Sequence, residues 1–181
     1  MSLDNLNNNL SNPSNLYNSY EIQVIIEIPY HSNVKYEIDN NGQVHVDRIL
    51  STSMVYPGNY GYIPGTRAGD GDPVDVLIMN HVPFVPGSSV MCRVIGVLDT
   101  EDEKGMDEKI IAVPIDRIDR RYSHRVNILD IAETERNMVR HFFENYKQLE
   151  TGKYVNVMGY RDRDAAMGII SQSHVVSSSL S

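Results

Sequence analysis

Val34-Lys35-Tyr36-Glu37-Ile38-Asp39-Asn40-Asn41-Gly42-Gln43-Val44-His45-Val46 is the stretch that decides the fold. Its first five residues alternate, sending Val34, Tyr36 and Ile38 to one face of a strand and Lys35 and Glu37 to the other. Asp39-Asn40-Asn41-Gly42 then has the composition of a hairpin turn, and a second strand is predicted from Gln43 to Leu50. Upstream, Val24-Ile25-Ile26-Glu27-Ile28 reads as a strand ended by Pro29. Downstream, Val74 to Ile78, Ser89 to Leu98 and Lys109 to Val113 add further short strands. Strands of this length and spacing suit a small barrel.

Helical periodicity comes late. Asp130-Ile131-Ala132-Glu133 has capping-box spacing, and Met138, Val139, Phe142, Phe143, Tyr146 and Leu149 then recur at three and four. Gly152 is a natural stop. A second helix is predicted from near Asp162 through Ala165, Ala166, Met167, Ile169 and Ile170. The expected fold is mainly β (α+β): a barrel with one long and one C-terminal helix packed on it.

With 181 residues, 41% of them hydrophobic, the chain suits one domain with a real core. The expected layout is an Asn/Ser-rich N-terminal tail at 1–18, a single domain at 19–172 and a Ser-rich, fraying C-terminal tail at 173–181. A net charge of −8 argues against a mainly electrostatic hold on nucleic acid or an anionic membrane. It leaves room for an anionic substrate if local cations or metal ions offset the repulsion. Cys92, the single cysteine, stands in an apolar run and reads as buried filler. No stretch approaches the roughly 18 apolar residues of a membrane span, and no secretory leader is evident. A reducing cytoplasm is the expected location.

Chemistry concentrates in Asp70-Gly71-Asp72-Pro73-Val74-Asp75. Fully extended, this segment would hold Asp70 and Asp75 about 17 Å apart, too far to share an ion, at ~3.3 Å per residue. Gly69, Gly71 and Pro73 favour a bend that brings the carboxylates together, and hard cations such as Mg²⁺ take such oxygen ligands. A polar loop leading into a strand is the competing explanation. An EF-hand fails on position: counting from Asp70, the sixth residue is Asp75 instead of glycine and the twelfth is His81 instead of glutamate.

Asp102 to Lys109 forms a second acidic cluster, where Gly105 permits a turn that would aim Asp102 and Asp107 at one point; taken alone, a solvated hairpin loop explains it better. In the strand from Gln43, Arg48 shares parity with Val44 and Val46, so it is predicted on their face and in need of an anionic partner. Glu27 sits amid isoleucines, and Lys35 and Glu37 share a face. Structural ion pairing is the alternative for each. Tyr56-Pro57-Gly58-Asn59-Tyr60-Gly61-Tyr62 combines turn-forming glycines with phenols able to donate to an oxyanion, or simply to pack.

These segments occur in an order that resembles one family. Glu27-Ile28-Pro29, Lys35-Tyr36-Glu37, Asp47-Arg48, Tyr56 to Ile63, Gly71 to Val76, the loop Asp102 to Lys109, and His141-Phe142-Phe143-Glu144-Asn145-Tyr146-Lys147 are similar, over about residues 20 to 170, to the family I soluble inorganic pyrophosphatases of the short bacterial type. The resemblance implies a five-stranded OB-like closed barrel, a hexameric homo-oligomer, and Mg²⁺-dependent hydrolysis of pyrophosphate to two phosphates. It also implies site roles. Asp72 would be the general base. Asp70, Asp75, Asp102 and Asp107 would hold several Mg²⁺ ions, and Lys35, Arg48, Tyr60, Tyr146 and Lys147 would bind phosphate. Glu27, Glu37, Tyr56 and Lys109 would support them.

The implied charges make chemical sense only with metal. The carboxylates Glu27, Glu37, Asp70, Asp72, Asp75, Asp102 and Asp107 outnumber the cations Lys35, Arg48, Lys109 and Lys147, so Mg²⁺ would have to reverse the local sign and activate a water. From periodicity alone Tyr146 is a core residue and Lys147 a solvated lysine near a helix end. The chain departs from the family in lacking tryptophan, with Tyr154 where relatives often carry it, and in its Asn-rich start. Two rival functions are an OB-type module for single-stranded nucleic acid, disfavoured by the acidic balance, and a calcium-binding or structural protein.

Overall fold

A computed structural model describes residues 20–174. The expected N-terminal tail and most of the C-terminal one lie outside the described residues. Five strands pair edge to edge into a closed ring: β1 (Glu21–Ile28), β4 (Asn59–Tyr62), β5 (Asp75–Ile78), β8 (Lys109–Pro114) and β6 (Ser89–Asp102), which returns to β1. Closure leaves no ring strand with an open edge. β2 (Val34–Ile38) and β3 (Val44–Ile49) form the expected hairpin beside the ring. β7 (Gly105–Met106) folds back on the end of β6, and β9 (Val155–Asp162) pairs along its second half.

The strands bury both faces. Val76 and Ile78 of β5, with Ile110 and Ala112 of β8, join a core containing Ala166 and Ile170 of α2 (Arg163–Ser173). Their neighbours Leu77, Ile111 and Val113 join a second core with Val139, Phe142 and Phe143 of α1 (Glu133–Asn145). Cys92 is fully buried in the first core, as expected. Its thiol is pushed up by that burial and is inert.

The structure corrects several local expectations. Asp130 does not cap α1. It accepts from the backbone N–H groups of Val126 and Asn127 and closes a single 3-10 turn, Ile128–Asp130. Position Ala132 caps α1 without a side-chain bond, and Glu133 and Glu135 favour the helix N-terminus electrostatically instead. Asp162 is a true N-cap, accepting from Ala165 N at 2.9 Å. Met138 and Leu149 are 64% and 69% exposed, because α1 ends at Asn145 and only its Val139–Phe142–Phe143 side meets the ring. α2 extends through Ser173, beyond the expected boundary at 172.

Asn59–Tyr62, expected to turn, is a strand. Asn59 is wholly buried and fully bonded. Its Oδ1 accepts from Tyr30 N and Phe84 N, and its Nδ2 donates to Asn80 Oδ1 and Val82 O. Gly61 is there because β4 lies hard against β1: a Cβ at this position would stand 1.9 Å from the Ile25 carbonyl oxygen. Backbone on both sides leaves nothing to yield. Gly61→Ala is therefore expected to lose about 3 kcal/mol of stability or more, at the upper end for overpacking, read as a lowered urea midpoint.

Candidate active site

One cleft of about 810 Å³ is lined by every candidate residue taken from the sequence. Its floor is built where β5 and β8 run parallel with Asp75 opposite Lys109. Lys109 is 3% exposed; its ammonium donates to Asp75 Oδ2 at 2.6 Å and to Asp107. Burial alone would drive such an ammonium neutral. Two carboxylates outweigh that and hold its pKa well up, so it stays charged.

The β6–β7 hairpin delivers Asp102 and Asp107. Gly105 turns with φ +121°, and Asp107 N donates back to Thr100 O at 2.8 Å. Asp102 accepts from Lys104 N at 2.8 Å and Lys147 Nζ at 3.0 Å. Burial pushes its carboxyl up, but these donors prevail and hold it below the ordinary carboxylate range. Lys147 is thus an ion-paired group of the cleft instead of a solvated helix-end lysine.

Asp70 and Asp72 ride on a pinned loop. Gly71 has φ +94°, Asp72 N donates to Asp70 Oδ1 at 3.1 Å, and Ala68 N donates to Asp72 O at 2.7 Å. The buried Thr66 hydroxyl closes the loop base, donating to Ile63 O and accepting from Val74 N. Arg67 N donates to Ser173 O, and Thr66 pairs with His174, so the end of α2 braces the loop. This is the bend that the glycines predicted.

Two β-bulges supply the opposite wall. In β1, Ile26 pairs with Gly61 and Ile28 with Tyr60, leaving Glu27 as the extra residue. In β3, Arg48 pairs with Lys35 and Val46 with Tyr36, leaving Asp47 as the extra residue. A bulge re-aims side chains and breaks simple alternation. The expectation that Arg48 shares a face with Val46 therefore fails: Val46 is 63% exposed, while Arg48 lines the cleft beside Asp47. Lys35 bonds Glu37 at 2.5 Å and Asp47 at 3.1 Å. Burial opposes its charge, but those two carboxylates raise its pKa overall.

Three tyrosines close the back. Tyr56, Tyr60 and Tyr146 are at most 8% exposed, and Tyr146 stacks on Phe142 with centroids 5.0 Å apart. Tyr146 is thus both core residue and cleft lining. Burial pushes all three phenols well above their ordinary pKa, so they remain neutral O–H donors. The sequence reading gave no role to Asp47, Glu103 and Lys153, which also line the cleft; Lys153 pairs with Glu103. Asp47 was marked only by its place beside Arg48.

The cleft suits hard divalent cations. Its donors are carboxylates, one of its few cations is committed to Asp75 and Asp107, and Glu27 is raised to about 7 by burial and by the Asp75 charge. Among the described residues no three acidic, His or Cys groups form a ready-made cage. Mg²⁺ characteristically uses one or two carboxylates together with waters and substrate phosphates.

Known proteins resemble the chain over most of its length. The family model described as inorganic pyrophosphatase matches residues 24–177. The chain is 50% identical over 157 residues to an inorganic pyrophosphatase of Rickettsia conorii, covering 86% of this chain and 91% of that one. It is 47% identical over 154 residues to one of Campylobacter jejuni, covering 84% and 90%. Among solved structures, the Helicobacter pylori inorganic pyrophosphatase superposes with a TM-score of 0.84 at 44% identity, covering 86% of this chain and 92% of that one. The Thermus thermophilus inorganic pyrophosphatase gives 0.82 at 43% identity, covering 85% and 89%.

Glu27 gives a pH signature. Its carboxyl titrates near 7 when folded against an ordinary 4.5, so the folded protein holds the extra proton between those values. Stability therefore falls as pH rises through that window. In metal-free protein, Glu27→Gln is expected to flatten this slope and to be the more stable form at pH 8. Denaturant titrations at pH 5 and pH 8 measure it.

Proposed function

The chain belongs to the inorganic pyrophosphatase family, hydrolysing pyrophosphate to two phosphates, and we propose that it does so with Mg²⁺ held by Asp70, Asp75, Asp102 and Asp107. The observation that carries this reading is the convergence of those carboxylates with Asp72 and the phosphate-binding set on one cleft. When bound, Mg²⁺ supplies charge screening of both phosphates and lowers the pKa of a water.

The chain's own residues do the rest. Asp72, on the pinned loop, takes a proton from the attacking water as its oxygen bonds to phosphorus and the bridging P–O bond breaks. Lys35, Arg48 and Lys147 meet the negative charge of the two phosphates and of the departing one. Tyr60 and Tyr146, held neutral by burial, donate O–H groups to phosphate oxygens. Glu37 and Asp47 keep Lys35 protonated and aimed. Lys109 keeps Asp75 and Asp107 from repelling one another, while Glu27 accepts from Ile38 N and ties β1 to the hairpin. Tyr56 fills the wall between Tyr60 and Phe142.

We further propose a cytoplasmic homo-oligomer, a hexamer. The exposed Met138 on α1 offers an apolar contact for a second copy. Light scattering of the purified chain, 20.5 kDa per protomer, measures the assembly.

Phosphate release from pyrophosphate is expected with Mg²⁺ and to vanish on chelation; turnover that survives chelation refutes the metal assignment. Asp72→Asn is expected to lower kcat by about 10²- to 10⁴-fold, the usual contribution of a general base. Its melting temperature should stay unchanged, since Asp72 is exposed and its side chain makes no hydrogen bond among the described residues. Near-normal turnover in that variant refutes the base assignment.

A further inference from the structure

Glu150 stands in the turn that follows α1, three residues after Lys147, and does not line the cleft. Its side chain is 18% exposed, and its Oε1 lies 3.4 Å from Arg48 Nε. Both atoms are shielded from solvent, and neither makes a hydrogen bond among the described residues. The turn carrying Glu150 is closed by Glu150 N donating to Lys147 O at 2.9 Å and by Lys153 N donating to Glu150 O at 3.2 Å. On its other side the Arg48 guanidinium has Asp47 Oδ2 at 3.1 Å from Nη1.

A long arginine on a small hairpin has many rotamers, and fixing it costs side-chain entropy. Two carboxylates from separate elements reduce that freedom before substrate arrives. Asp47 is on the arginine's own strand and moves with it. Asp47 ties Arg48 to Lys35 within the hairpin, whereas Glu150 belongs to the turn that also presents Tyr146 and Lys147 and ties Arg48 to those groups.

From this geometry we infer that Glu150 is a positioning residue: it aims Arg48 at the substrate and sets its distance from Tyr146 and Lys147. The inference rests on the substrate role of Arg48 proposed above. Arg48 Nε has no hydrogen bond to hold it, so removing the carboxylate charge takes away its nearest compensation on this side and favours a swing of the guanidinium toward water. Glu150 itself lies outside the cleft lining and acts through Arg48, so the loss falls on substrate binding.

Steady-state kinetics with Mg²⁺ and pyrophosphate on Glu150→Gln, Glu150→Asp, Arg48→Gln and the double variant Arg48→Gln/Glu150→Gln tests this. Glu150→Gln is expected to raise KM about tenfold with kcat within about twofold, the pattern of lost uniform binding from a misplaced group. Glu150→Asp, which keeps the charge, should recover part of that loss. In the Arg48→Gln background Glu150→Gln should add nothing, because coupled residues are not additive. An unchanged or lowered KM in folded Glu150→Gln overturns the inference, as does an equal KM increase in both backgrounds. Failure of both Glu150 variants to fold overturns it too, since the contact is then structural. Wild-type KM and kcat in Arg48→Gln remove the role of Arg48 itself, a result distinguishable from failure of Glu150→Gln alone.

Discussion

The buried ammonium of Lys109 is the constraint around which the molecule is arranged. An ion that deep needs opposite charges at hydrogen-bond distance, and Asp75 and Asp107 provide them from β5 and from the connection between β7 and β8. Meeting that need fixes the register of the parallel β5–β8 pair and the return of the β6–β7 hairpin. It also leaves the cleft short of positive charge. One ammonium offsets one carboxylate, and the surplus has nowhere to go within the chain. Beside it lies the apolar ring, with Val76, Leu77, Ile78, Ile110, Ile111 and Ala112 all at most 1% exposed. The site is therefore poised for cations without being satisfied by its own.

Groups that must be aimed stand on rigid parts, and irregularities supply the aim. The ladder bends at Glu27 and at Asp47, where one strand carries a residue its partner lacks. The Asp70–Asp72 loop is held at its base by the Thr66 hydroxyl and from outside by the end of α2. Tyr146 joins both systems, its ring in the α1 core and its hydroxyl end in the cleft wall. Preorganisation of this kind lets electrostatic stabilisation act without reorganising the protein during the reaction.

Most of the fold was legible because the alternation in β2, the continuous apolar runs of β5 and β8 and the apolar side of α1 report directly which groups must leave water. β2 matched from Val34 to Ile38 to the residue. β4 was hidden because its two tyrosines and Gly61 have the composition of a turn, and only the closeness of β1 explains the glycine. β9 was hidden as well: Val155–Asp162 alternates poorly, and its place is set by pairing with β6. Arg48 was misassigned because parity assumes an unbroken ladder, and a bulge is invisible to periodicity. In the candidate site, the Asp70–Asp75 bend and the Lys35–Glu37 pair followed from residue chemistry. Roles for Tyr146 and Lys147 did not, since nothing in a helix-end lysine announces an aspartate 45 positions away.

The clasp between Arg67 and Ser173 has a practical side. It makes the end of α2 a neighbour of the loop that carries Asp70 and Asp72, although about a hundred residues separate them along the chain. An affinity tag, a fused domain or a fluorescent label joined directly to His174 in place of residues 175–181 would begin beside the Asp70–Asp72 loop. A dye placed there would be an optical reporter of that loop, and a tag placed there would belong among the experimental variables of any rate measurement.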